Sequence, residues 1–137
     1  MKNYLPKFLV FFFLILTGIA FVSCEKPEGE GGYTTVKGSV WGKKYNSAFT
    51  YLLDEYFVAD EEVYIIYGNQ PGYGERTRTN YLGEYSFKYL RPGNYKVYVY
   101  SKDSAFTNAS GKIAIVHEFE IKKKDKLVEL PQFVIFD

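Results

Sequence analysis

Apolar and polar residues alternate with a period of two in short runs along most of this chain, with Gly, Pro, Asn and Asp between the runs. A period of two is the repeat of a β-strand, whose side chains leave on alternate faces. Residues 35–43 place Val36, Gly38, Val40 and Gly42 on one face, and Lys37, Ser39, Trp41 and Lys43 on the other. Residues 62–67 are apolar on both faces, the pattern of a central strand, whereas 75–80 set Thr77 and Thr79 against Arg76 and Arg78 and read as more exposed. In 84–89 Tyr85, Phe87 and Tyr89 point inward. In 94–101 the inward residues are Tyr95, Val97 and Val99, with Lys96, Tyr98 and Tyr100 outward. Residues 111–121 alternate Ile113, Ile115, His117, Phe119 and Ile121 against Ala114, Val116, Glu118 and Glu120. Residues 127–136 close the domain, and Pro131 confines that strand to an edge or breaks it in two. Seven short strands over about 100 residues predict an all-β fold, a seven-stranded antiparallel β-sandwich. Residues 46–59 fit least well: an extra strand, or a short helix with Phe49, Leu52, Leu53 and Tyr56 on one side.

The turns between the runs are equally marked. Gly83 can supply the backbone of a tight turn, after which Tyr85 and Phe87 drop into the core. Pro92 presets φ and Gly93 can take φ > 0, so the chain reverses directly into Tyr95 and Val97. In order, Gly38-Ser39-Val40, Val63-Tyr64-Ile65, Thr77 to Phe87 with its Gly83-Glu84-Tyr85-Ser86-Phe87, and Leu90-Arg91-Pro92-Gly93-Asn94-Tyr95-Lys96-Val97 form a series. Together they resemble the carboxypeptidase regulatory-like domain, a small transthyretin-like sandwich related in architecture to the Ig fold. Asn80 stands where that family often has Asp, and the insertion at 44–58 is longer than typical. The resemblance implies a fold; it makes Gly83, Tyr85, Phe87, Pro92, Gly93 and Tyr95 turn and core residues of the scaffold, and it implies no activity.

The N-terminus carries an address. Lys2 and Lys7 precede an apolar run at residues 8–21, which is followed by Val22-Ser23-Cys24. A basic start, an apolar centre and a small residue before a cut site are the parts of a secretory signal peptide. The run is shorter than the roughly 20 residues that span a bilayer as a helix. Cys24, the only cysteine, directly follows the small residue, as in the lipobox of bacterial lipoproteins. That resemblance implies cleavage before Cys24, lipidation of its thiol and a lipid-anchored protein of the cell envelope, at the outer membrane and exposed at the surface. The expected division is a signal peptide at 1–23, a flexible acidic tether at 24–32, and the sandwich domain at 33–137. Acidic residues just after the cysteine loosely resemble surface-export signals of some Gram-negative lineages; a solvated spacer reads equally well.

Composition narrows the chemistry. Without residues 1–23, 15 basic residues face 16 acidic ones, a net charge of −1. Nucleic-acid binding needs a concentrated basic face, and the basic clusters here are Lys43-Lys44 and Lys122-Lys123-Lys124, the latter read as a solvated turn. The single histidine, His117, lies between Ile115 and Phe119 on an apolar face and reads as a hydrogen-bonded core residue. No serine or cysteine stands in a nucleophile's setting. One histidine and a lipidated cysteine cannot build a zinc site. The acids Asp54, Glu55, Asp60, Glu61 and Glu62 lack a calcium-loop pattern and read as a solvated edge; as a glycosidase pair they would need a cleft that so small a sandwich lacks. Isopeptide crosslinking through Lys37 is disfavoured, because the strand that would end in Glu-Thr reads Val99-Tyr100-Ser101. Asp103-Ser104-Ala105 resembles a bacterial O-glycosylation acceptor, with an ordinary polar loop the simpler reading. No metal, cofactor or catalytic residue is expected.

About one residue in five is aromatic, and Trp41, Tyr98 and Tyr100 fall opposite the core positions while Tyr73 and Tyr81 sit in loops. Exposed Trp and Tyr anchor protein interfaces and stack on sugars; the competing role is packing beneath the 44–58 insertion. The functional expectation is a non-catalytic binding or assembly module for an envelope protein partner. A polysaccharide-binding module is the alternative, favoured if these aromatics line a common groove.

Overall fold

The computed structural model describes residues 26–137, so the expected signal peptide and Cys24 lie outside the described residues. Nine strands and no helix make up that region: β1 (Glu30–Tyr45), β2 (Leu52–Phe57), β3 (Glu62–Tyr67), β4 (Glu75–Arg78), β5 (Glu84–Leu90), β6 (Gly93–Lys102), β7 (Lys112–Ile121), β8 (Leu127–Glu129) and β9 (Phe133–Phe136). β1 is the axis of a five-stranded sheet and pairs with all four of its neighbours. Its first half carries β5 antiparallel and β8 parallel; its second half, from Val40, carries β2 antiparallel and β9 parallel. The other sheet runs β4-β3-β6-β7, antiparallel throughout. Between the two lies one core: Val36 and Val40 of β1, Phe87 of β5 and Phe133 of β9 meet Val63 and Ile65 of β3 and Val97 and Val99 of β6.

Two strands exceed the expected seven. The segment that fitted neither pattern supplies β2, which lays Phe57 opposite Trp41 and Tyr56 opposite Gly42. An ion pair between Lys43 and Glu55, 3.1 Å long, ties it to β1. The last strand is broken at Pro131 into β8 and β9, because a prolyl nitrogen cannot donate to a ladder. Both pieces run parallel to β1, which corrects the all-antiparallel expectation. The link through Pro131 does not reverse the chain, so β9 continues in the direction of β8 along the other half of β1.

The alternation fails at the end of β5. Tyr89, expected inward, has φ 60° and is 69% exposed. One extra residue there opposes β1, so pairing steps from Val36 with Phe87 to Thr34 with Leu90, and Leu90 takes the buried place. This is a β-bulge, which turns the following side chain to the other face.

The expected tether also needs correction at its C-terminal end. Pairing begins at Glu30 rather than Tyr33, and Gly29 is buried. The Gly29 N–H donates to Tyr95 Oη at 3.0 Å, and the Arg91 N–H donates to the Gly29 carbonyl at 2.9 Å. Tyr95 Oη in turn donates to the Arg91 carbonyl at 2.7 Å. A tyrosine bonding to backbone four residues upstream is the tyrosine corner of many sandwiches; here it also clamps the N-terminal strap. Glycines that read as flexible serve close approach instead: a Cβ on Gly32 would stand 1.9 Å from the Leu90 carbonyl oxygen.

The turn and core residues of the resemblance sit as follows. Tyr85, Phe87 and Tyr95 are buried. Gly83 has φ 71° and closes its turn by donating to the Asn80 carbonyl at 2.9 Å. The Asn80 side chain accepts from the Leu82 and Glu84 N–H groups, both at 2.9 Å, which is how Asn serves where Asp is common. Pro92 is exposed, and Gly93 has φ 145°, with Glu28 packed where its side chain would be.

Candidate functional site

Because Val63, Ile65, Val97 and Val99 drop into the core, Tyr64, Tyr98 and Tyr100 must stand on the outer face of the four-stranded sheet. The register puts Tyr64 directly opposite Tyr98 on one side and Arg76 on the other. Tyr64 is the hub of the face. Its ring stacks on Tyr98 at 5.0 Å and 10°, and meets Tyr73 edge-on at 5.1 Å and Tyr100 at 5.9 Å. Tyr98 and Tyr100 meet edge-on at 5.6 Å. The β3–β4 loop therefore delivers Tyr73 onto the same face as Tyr98 and Tyr100.

A charged rim borders the rings. Glu62 takes Arg76 Nη1 and Arg78 Nη2, each at 3.1 Å, and Arg78 also reaches Asp60 at 3.0 Å. The Tyr64 hydroxyl donates to Glu62 as well. That bond, then the one from Arg78, holds the Glu62 carboxyl below its ordinary range. The same bond raises the Tyr64 phenol, and burial raises the Tyr98 phenol, so both stay neutral O–H donors at physiological pH. The face can bury aromatic area, donate phenolic hydrogen bonds and present two arginines.

Trp41 lies elsewhere. It stands on the outer face of the five-stranded sheet, where Phe57 of β2 packs edge-on against it at 4.8 Å. Tyr81 is 82% exposed in the β4–β5 turn. The five sequence candidates thus divide: Tyr73, Tyr98 and Tyr100 come together, while Trp41 occupies the other sheet. Tyr64 was missed because 62–67 reads as apolar on both faces; the inward pair Val63 and Ile65 is the signal that sends it outward.

The remaining candidates are held in structural roles. His117 stacks flat on Phe133 at 4.0 Å and 9°, and its buried Nδ1 has no hydrogen-bond partner, so it is packed rather than hydrogen-bonded as expected. Burial lowers its pKa and favours the neutral ring. Lys37 is paired with Glu129 at 2.7 Å. Among the described residues no group of three His, Cys, Asp or Glu side chains is placed to hold a metal ion. Compared with known proteins, the chain matches no family model and no curated protein.

Asp103, beside Ser104, organises its own loop. Its carboxylate accepts from the N–H groups of Ala105, Thr107 and Asn108 and from the Thr107 hydroxyl, at 2.6–3.0 Å. Burial alone would raise this carboxyl, but the hydrogen bonds, led by that from Asn108, outweigh it and leave it below its ordinary range. A carboxyl depressed in the folded state contributes stability that is complete above its unfolded value, about 3.9, and is lost as pH falls through the folded value. Acidification from about pH 5 to pH 2 is therefore expected to open the 103–111 loop before the sheets. Amide exchange at Thr107 and Asn108 should rise ahead of exchange in β6, and Asp103→Asn should show no such acid step.

Proposed function

We propose that this chain is an envelope lipoprotein, anchored through Cys24 in the outer membrane and exposed at the surface, whose transthyretin-like domain binds a protein partner as a non-catalytic assembly module. The family's seven strands correspond to β1, β3, β4, β5, β6, β7 and the divided β8–β9, with β2 as the insertion; the tyrosine corner and the two turns support that assignment. One observation carries the binding role: four tyrosines and two arginines share one sheet face, and Tyr and Arg are the residues enriched where protein partners bind most tightly. A polysaccharide platform is the weaker reading. Sugars stack on free ring faces, whereas Tyr64 and Tyr98 turn faces toward each other, and Trp41 shares no groove with them.

Tyr73 and Tyr100 are 51% and 43% exposed, so truncating them leaves the core intact. Crosslinking in intact envelopes is expected to join the native protein to one partner, and Tyr73→Ala with Tyr100→Ala to weaken that complex by about 2 kcal/mol or more, roughly thirtyfold in Kd. Trp41→Ala should bind as wild type. Loss of binding in the Trp41 variant alone, or competition by polysaccharide, would replace this reading with the other.

A further inference from the structure

The N-terminal strap fixes which end of the domain faces the lipid anchor. Gly29 is held by Tyr95 and Arg91, and Glu28 is packed against Gly93. From Cys24 to Glu28 is four residues, at most about 14 Å of extended chain. The domain cannot swing on a long leash; the end bearing Gly93 and Ile121 must stay near the bilayer. At that end Lys26, Arg91, Lys122 and Lys123 line one shallow depression together with a single acid, Glu120. Among the described residues the neighbouring acids face elsewhere: Glu28 sits against Gly68, Gly93 and the Asn94 N–H, and Glu30 lies beside Tyr67 and Glu75. Asp125, in the same turn as the lysines, accepts from the Lys122 N–H at 2.9 Å.

Arg91 adds a second sign. Its guanidinium lies on Gly31, and among the described residues its side chain donates only to the Pro27 carbonyl, at 3.3 Å. Its buried Nε–H has no acceptor. A group with five donors and one weak bond, set among lysines at the anchored end, suits an anion with several oxygens.

We propose that this basic end docks on anionic lipid headgroups, whose phosphates occupy the depression between Arg91 and the Lys122–Lys123 turn. The proposal rests on lipidation at Cys24. It adds an orientation to the module: Tyr98 and Tyr100 lie five and seven residues along β6 from Gly93, or about 16 and 23 Å, so these two rings are held clear of the headgroups. The 8–10 Å Debye length at ordinary ionic strength confines the attraction to the docked end.

The test uses the full processed chain, extracted with its lipid and placed in bilayer discs of pure phosphatidylcholine or of phosphatidylcholine with about 30% phosphatidylglycerol. Mass measurement first establishes the lipid on Cys24. Each basic residue near an anionic surface strengthens association about fivefold, so backbone amides of 122–126 should exchange at least about fivefold more slowly in the anionic discs. About 0.5 M salt should abolish the difference. Lys26→Glu with Lys122→Glu and Lys123→Glu should abolish it too, with exchange in β6 unchanged; Arg91 is left intact because it clamps the strap. Equal exchange in both discs by lipid-bearing protein overturns docking alone. Protein without lipid on Cys24 removes the anchor, and with it both this proposal and the lipoprotein reading.

Discussion

Phe87→Ala is expected to remove about 3–5 kcal/mol of folding stability, the cost of deleting a large aromatic from a packed core. Phe87 is fully buried, lies edge-on to Tyr85 at 6.1 Å, and sits opposite Val36 of β1. It therefore joins the edge of one sheet to the core shared with the other, and no neighbour can fill the space without leaving its own. Equilibrium urea unfolding would read the loss as a lower midpoint with an unchanged slope. Tyr85 supplies the contrast. Its ring is equally deep, but its hydroxyl is buried without a partner, and that burial pushes its pKa up. Removing an unsatisfied polar atom relieves a desolvation cost, so Tyr85→Phe should leave the midpoint unchanged or raise it. A Phe87→Ala protein as stable as wild type, with binding lost instead, would make this position part of a site rather than the scaffold.

Sequence alternation succeeded where a strand keeps a regular pleat and has one wet face. In β6 and β7 every inward and outward assignment agrees with the burial, and in β1 all do but Gly38 and Ser39, which are half-buried alike. It failed wherever a non-local partner decided the outcome. Tyr89 turns out because of a bulge that only the pairing with β1 creates. Residues 52–57 become a strand because β1 is long enough to offer them an edge. Glu28 to Gly32 dock because Tyr95, 66 residues after Gly29, reaches back to them. Three of the four tyrosines of the candidate face stand out in the sequence, but only Tyr98 and Tyr100 can be placed on it, by the β6 alternation. Their neighbour Tyr64 is hidden in an apolar run, and Tyr73 is brought in by a loop whose path no periodicity describes. Trp41 was read correctly as outward, yet outward on which sheet is a matter of topology that local pattern does not carry.

Gly83→Ala should be costly twice over, through backbone strain and through a clash with backbone atoms. At φ 71° an L side chain is strained by about 1–3 kcal/mol before any contact is counted. The added Cβ would also stand 2.7 Å from the Val40 carbonyl oxygen and 3.2 Å from the Val58 nitrogen. Those two atoms are bonded to each other: the Val58 N–H donates to the Val40 carbonyl at 3.1 Å, while the Val40 N–H donates to the Gly83 carbonyl at 2.8 Å. Three segments, β1, the end of β2 and the β4–β5 turn, thus meet at one glycine. Backbone cannot move aside as a flexible side chain can, so the methyl must break one of these bonds or shift the turn. The loss should exceed the strain alone, and amide exchange should rise first at Val40 and Val58. Gly72 is the control, since a Cβ there meets nothing within 4 Å. Gly72→Ala should be neutral, or stabilising by up to about 1 kcal/mol through the unfolded chain. Equal stability of the two variants would mean that this turn is not where the insertion strand is tied to the sandwich.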